Sequence, residues 1–432
     1  MSKNKFTVAI IGVGGRGGYA YGTLIAQLPE RFEIVALCDI NTDKLSYFSK
    51  KFNVAAQNLF TDEEVFFQKK RADVLIIATQ DKDHIRHATK AFRLGYDILL
   101  EKPITDNRQE MQDLLALQKE TGCKALVCHV LRYAPAFMKA AELLENGTIG
   151  RLVSINAIEQ IGYFHQAQAY VRGYWRKAEN STPMILAKCS HDLDLLQFYA
   201  NSACESLSSI GDLTYFTPEN APTDATERCL DCPHQNTCPF SAKTQYLDGW
   251  LKDRTDAYPY NVPCHAPITE EKMRAALQNS MYGKCVFRCD NDVVDHQVVN
   301  MEFEGGALVS FTMSAFNGWG GSRAIRVMGT KGMLVAKLGE DTIHYDNAAA
   351  GTTEEIPVIG STGDNTLVGG HGGGDNGIMG TFSYLVTDEY DGINAATIET
   401  SCKNHMIVFA AEEAREKGCV VDVREYANRY GM

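Results

Sequence analysis

Phe6-Thr7-Val8-Ala9-Ile10-Ile11-Gly12-Val13-Gly14-Gly15-Arg16-Gly17-Gly18 reads as a strand that runs directly into a glycine loop. Glycines stand at the first, third and sixth positions of a dinucleotide fingerprint. Gly12 allows the tight turn, Gly14 the approach of backbone to a pyrophosphate, and Gly17 the close packing of the following helix, whose N-terminus favours phosphate charge. A second apolar run, residues 32–38, ends in Asp39 at about twenty-odd residues onward. A carboxylate there accepts hydrogen bonds from ribose hydroxyls and repels a 2′-phosphate, so the pattern predicts NAD rather than NADP.

Strand-like and helix-like segments then alternate. Residues 72–79 read as a buried strand, 83–94 as a helix, and the next strand ends in Leu99-Leu100-Glu101-Lys102-Pro103. A helix over 106–120 leads to a further strand at 124–129. This repeating unit predicts a parallel, doubly wound sheet with the glycine loop, Asp39 and Lys102 opening onto its C-terminal edge, where such sheets bind ligands. After Asn146-Gly147 the texture changes. Residues 151–161, 298–303, 307–313 and 325–328 alternate in the manner of antiparallel strands. The expected organisation is a doubly wound dinucleotide-binding domain over 1–130 and an α+β domain over 131–432 that contains antiparallel strands. An irregular Cys-rich insertion over about 212–281 interrupts the second domain.

The bulk properties are those of a soluble globular protein. The formal charge of −12, from 42 basic and 54 acidic residues without long runs of one sign, argues against a nucleic-acid surface. The chain shows no apolar run of membrane-spanning length and no leader-like N-terminal segment, so a cytoplasmic protein is expected. Its 13 cysteines are odd in number and many sit in apolar stretches, which suits reduced thiols. Cys229-x2-Cys232-x5-Cys238, with Cys264 farther on, has knuckle spacing. It predicts a structural metal, zinc ahead of an iron–sulfur centre, or else unligated thiols.

The Gly fingerprint, Glu101-Lys102-Pro103 and a later histidine-bearing helix, in this order, resemble the glucose-fructose oxidoreductase, inositol dehydrogenase and rhizopine-catabolism family (Gfo/Idh/MocA) over essentially the whole chain. The resemblance implies an N-terminal Rossmann domain and a C-terminal α+β domain with a large open-faced, mostly antiparallel sheet. It also implies that Lys102 borders nicotinamide and substrate, that Arg16, Thr79, His84 and Glu101 line the cofactor, and that His191 accepts the substrate's hydroxyl proton. Family members usually carry an aspartate four residues before that histidine, and Ala187 stands there in this chain. Lys188 lies on the same helical face as His191 and Asp192 beside it, so a rewired proton relay is one expectation and a buried core histidine the other.

Further substrate-binding candidates are Asp295 and His296, in a polar run that is either a cleft edge or a solvated turn, and His371 in the loop Gly369-Gly370-His371-Gly372-Gly373-Gly374. His165 is a weaker one. The implied activity is NAD-dependent oxidation or reduction of a secondary hydroxyl on a sugar, sugar derivative or cyclic polyol, by a homo-oligomer (dimer or tetramer) assembled through the open sheet face. Two alternatives are an NAD-retaining, redox-neutral glycoside-cleaving enzyme and a nucleotide-sensing protein without turnover.

Overall fold

The computed structural model describes residues 5–318, 321–359, 370–389 and 395–431; of the loop around His371, Gly369 lies outside the described residues. Six short strands form a sheet in the order β3-β2-β1-β4-β5-β6: β1 (Phe6–Ile11), β2 (Phe32–Cys38), β3 (Leu59–Phe60), β4 (Val74–Ile77), β5 (Asp97–Leu100) and β6 (Ala125–Val127). All neighbours are parallel. The strands are apolar without alternation because helices cover both faces; Val74, Leu75, Ile76 and Ile77 are all fully buried. The order reverses between β1 and β4, so the carboxyl ends of these strands open a crevice there.

Sequence signals place the helix ends that flank this crevice. Asn41 caps Thr42–Phe52 by accepting from the Lys44 amide, and Asn107 caps Arg108–Thr121 by accepting from the Gln109 and Glu110 amides. Gly12 sits at φ 85°, and a Cβ on it would come within 2.4 Å of the Ala78 carbonyl oxygen. At Gly17 a Cβ would meet the Gly12 oxygen at 2.0 Å. Both positions therefore require glycine.

A second, nine-stranded sheet follows: β7 (Leu152–Gly162), β8 (Cys204–Asp212), β9 (His296–Phe303), β10 (Ala307–Asn317), β11 (Ser322–Gly329), β12 (Gly332–Lys337), β13 (Thr342–Asn347), β14 (Thr352–Pro357) and β15 (Val420–Asp422). Its order is β14-β13-β12-β11-β7-β10-β9-β8-β15, antiparallel except for the pair β7 and β10. Helices Ser190–Ala200 and Ile398–Lys417 cover one face, and the long β10 alternates as a one-sided strand must.

The insertion differs from its sequence expectation. It contains the helices Gly249–Asp253 and Glu270–Asn279, and it has a core of its own. Phe216, Phe240, Phe287 and Tyr215 meet edge-on or tilted at 5.3 to 6.0 Å. These rings are spaced irregularly along the chain, so no period reveals that they converge.

Replacing Gly17 with alanine is expected to open the glycine loop and lower stability by about 2–4 kcal/mol, with loss of dinucleotide binding. Urea unfolding and nicotinamide fluorescence titration measure both; an unchanged midpoint contradicts this account of the loop.

Candidate active site

Lys102 leaves the end of β5 on a turn whose Lys102–Pro103 bond is cis, and its ammonium donates to the Ala187 carbonyl oxygen at the end of the short helix Met184–Ala187. Burial lowers its pKa; Glu101 and Asp81 oppose that shift, and Lys188 and Arg16 add to it. Asp81 is itself buried, accepting from the Trp175 indole at 2.9 Å and the Thr182 hydroxyl at 3.2 Å. The lysine thus sits between two acids from the parallel sheet and a backbone oxygen from the segment beyond it.

Arg16 is the junction of three segments. Its Nε donates to Glu101 at 2.7 Å, and its two terminal nitrogens donate to the Asp375 carboxylate at 3.0 and 2.7 Å. Tyr21 also donates to Glu101, at 2.6 Å. Burial alone would raise Glu101, but Arg16, Lys102 and these hydrogen bonds outweigh it and hold the carboxyl below its ordinary range. Asp375 also accepts from the Gly370 amide and pairs with His371 Nδ1 at 3.2 Å. Burial lowers the pKa of His371, while the Asp375 carboxylate opposes.

His191 lies in the first turn of Ser190–Ala200, with its ring centre 5.7 Å from His371 and 6.0 Å from His129. Burial holds its pKa well below the usual histidine value, and Lys102, His371, His129 and Arg323 push the same way. A neutral imidazole beside an ammonium can receive a proton. Next to it a buried ion network forms. Arg323 donates to Asp192 at 2.8 Å and pairs with Glu159 at 2.5 Å, and Lys188 reaches Glu159 at 3.3 Å. Burial and the neighbouring Glu159 raise Asp192 to about 6 against the opposing pull of Arg323.

The remaining sequence candidates fall into two groups. Asp39 accepts from the Val13 amide at 2.9 Å and the Asn41 amide at 2.9 Å, closing the glycine loop onto the end of β2. A Cβ on Gly14 would meet nothing nearer than the Lys44 amine at 3.9 Å, which leaves the open cradle a pyrophosphate requires, so the chain's own residues fit a dinucleotide. His165 lies within electrostatic reach of Lys188, Arg323, His371 and Lys102. By contrast, His84 bridges Pro103 and Thr79 carbonyls at 2.7 and 3.2 Å, and the Thr79 hydroxyl bonds His87 at 3.0 Å. His84 thereby ties the Lys102 turn to the Thr79 backbone.

Asp295 accepts from the Thr214 and Tyr215 amides and from His296, anchoring the start of the insertion. Among the described residues neither shares a hydrogen bond, ion pair or ring contact with Lys102 or His191.

The expected zinc finds no support: among the described residues no group of three or more His, Cys, Asp or Glu is placed to hold a metal ion. Cys229, Cys232 and Cys238 line a small cavity with Cys285, and Cys264 is not among its lining residues; Cys264 packs with Cys229, Tyr260 and Trp250, while Cys232, Cys238 and Cys285 belong to the neighbouring cluster. The aromatic core described above holds the insertion together instead. All 13 cysteines stand as free thiols.

Arg323, Glu159, Asp81, Asp375 and His129 belong to this region and are absent from the sequence-derived set. A signal existed for two of them. Ile155, Ala157 and Ile161 face the core of β7, and Glu159 falls on the same parity; Arg323 shares the inward parity of Ile325 and Val327 in β11. The register pairs Arg323 with Glu159 directly across the two strands. A charge on an apolar face implies a buried partner.

The fold and the crevice define a dinucleotide-binding oxidoreductase architecture. Residues 6–129 match the model of the Gfo/Idh/MocA oxidoreductase family's NAD-binding Rossmann fold and residues 141–367 that family's C-terminal alpha/beta domain. The chain belongs to this family. It is 26% identical over 377 residues to YteT of Bacillus subtilis (strain 168), covering 84% of this chain and 85% of that one. It is 21% identical over 209 residues to inositol 2-dehydrogenase of Rubrobacter xylanophilus, covering 47% of this chain and 54% of that one. The crystal structure of an oxidoreductase domain protein from Kribbella flavida superposes with a TM-score of 0.69 at 15% identity, over 98% of this chain and all of its own.

Because Asp192 binds its proton more tightly folded than unfolded, its ionisation opposes folding. Its contribution is present below about pH 4 and is lost as pH rises through about 6. Unfolding free energies of the parent and Asp192→Asn should diverge in pH slope over about pH 4 to 6; parallel curves contradict the raised value.

Proposed function

We propose that the protein is an NAD-dependent oxidoreductase that acts on a secondary hydroxyl of a sugar, sugar derivative or cyclic polyol. The observation that carries this reading is the convergence of Lys102 and a neutral, buried His191 at the mouth of the crevice formed by the glycine loop. When bound, NAD supplies a hydride acceptor at the nicotinamide. The chain supplies the rest. Lys102 donates to the substrate oxygen and stabilises the negative charge that develops on it, and His191 takes the hydroxyl proton. Arg16 and Glu101 fix the turn that aims Lys102, and His371 borders the same space through its contact with His191. Lys188 and Asp192 enter through the ion network and set the charge around His191.

Asp39 makes NAD the preferred nucleotide. A 2′-phosphate beside its carboxylate meets like charge without an arginine immediately after it in the chain, at an expected disadvantage on the order of 2–4 kcal/mol. The neighbouring relative is named for an inositol, which supports a polyol substrate class. Self-association through the open sheet face is part of the reading: Ile210 pairs across β8 and β9 with Val298, and both are exposed together with Leu308 on β10.

Three outcomes follow from this reading. Titration of nicotinamide fluorescence should show NADH bound much more tightly than NADPH; equal or reversed affinity sinks the role given to Asp39. Sugars and cyclic polyols offered with NAD should yield NADH in step with substrate consumed, and Lys102→Met should lower turnover by roughly two to four orders of magnitude. Release of aglycone from a chromogenic glycoside with NADH flat, abolished by the same variant, establishes the redox-neutral alternative in its place.

A further inference from the structure

His129 follows β6, is fully buried, and has no hydrogen-bond partner on either ring nitrogen. Two imidazoles adjoin it. His405 is saturated: its Nδ1 donates to the Ser401 carbonyl at 2.7 Å, and its Nε2 accepts the Ile104 amide at 3.0 Å. His191 is not, because its buried Nδ1 is also without a partner. The rings of His129 and His191 meet edge to face, centroids 6.0 Å apart and planes at 90°. Three buried ring nitrogens are thus without a partner, and a bond between the two rings would satisfy one on each.

We infer that His129 is the positioning residue for His191, accepting its Nδ1–H and thereby leaving the lone pair of His191 Nε2 free for the substrate hydroxyl proton. The inference rests on the role proposed for His191. In a histidine the hydrogen bond made by one nitrogen decides which nitrogen carries the proton. A carboxylate commonly makes that bond, and the position one turn before His191 is Ala187, which has none to offer. A neutral imidazole takes its place. Proton bookkeeping is simple: the substrate O–H bond breaks, the His191 Nε2–H bond forms, and the Nδ1 proton stays between the two rings throughout. Catalytic hydrogen bonds often tighten only in the loaded enzyme, in keeping with two rings that face each other without yet bonding.

The surroundings favour neutrality on both rings. Lys102, His371 and Arg323 face His191; Asp194, Arg132, Lys102, Glu101 and His405 face His129, whose pKa burial lowers to about 4. A dyad of neutral rings makes a weaker base than a carboxylate–histidine pair, so its protonation limb lies at lower pH.

The test uses the full chain, selectively labelled with ¹⁵N-histidine and loaded with NAD. The parent should show a downfield imidazole N–H proton resonance that vanishes in His191→Gln. His129→Gln, whose amide oxygen can accept the same bond, should keep the resonance and keep turnover within a few-fold. His129→Phe, which fills the space without an acceptor, should lose the resonance and lower kcat on the order of 10-fold or more with KM little changed. Absence of the resonance in the parent, its survival in His129→Phe, or equal turnover in the Gln and Phe variants overturns the assignment. If His129→Phe fails to fold, loss of the signal in His129→Gln overturns it alone. A parent that oxidises no polyol yet shows the resonance and its dependence on residue 129 refutes the proposed activity and leaves the histidine pair standing.

Discussion

The guanidinium of Arg16 is the constraint on which the rest of the site depends. It lies within the glycine loop of the parallel sheet, yet it holds Glu101 beside the Lys102 turn and Asp375 at a separation of 359 residues. Two carboxylates this well buried cannot face one another without a cation between them. Arg16 therefore fixes three backbones at once: the loop that cradles a pyrophosphate, the turn that presents Lys102, and the segment that carries His371. The parallel sheet and the helix Gly374–Val386 meet through paired charge at this point, and a hydrophobic contact would not fix the angles of the groups involved.

The same logic recurs on the far side of the crevice. Arg323 sits between Glu159 and Asp192, with Lys188 completing the set. The cations Lys102, Arg16, Lys188 and Arg323 each have a buried carboxylate beside them. Within that balance burial controls the protonation states: it depresses Lys102, His191 and His371 and elevates Asp192. A base that is neutral and a lysine that is held between acids are the two states that alcohol oxidation requires of its protein groups.

Much of this was legible in the residues. The strand, glycine loop and acid at position 39 point to the parallel sheet and its crevice because each is a local pattern with a local physical cause. Lys102 and His191 were found through motif order. What stayed hidden depends on distance in the chain. Arg16 and Asp375 meet only once the fold is complete, and the insertion's rings converge without a period. Cys264 packs with Cys229 yet does not line the small cavity that Cys229 shares with Cys232, Cys238 and Cys285. The hydrogen bonds of His84 to the Pro103 and Thr79 carbonyls, which tie the Lys102 turn to the end of β4, likewise appear only in the folded chain. Glu159 and Arg323 mark the middle case: the parity of their strands announced buried charges, and only the register showed that they were partners.

Direct transfer of a hydrogen from substrate carbon to nicotinamide is the central claim, and isotopic labelling reads it most directly. Sugars and cyclic polyols deuterated at their carbinol carbons are incubated with enzyme and NAD, and the reduced cofactor is examined by mass spectrometry and NMR. The account predicts one deuterium at nicotinamide C4 for each substrate oxidised, with a primary isotope effect on the hydride step. Consumption of the labelled substrate with unlabelled nicotinamide, or with deuterium released to water, contradicts it.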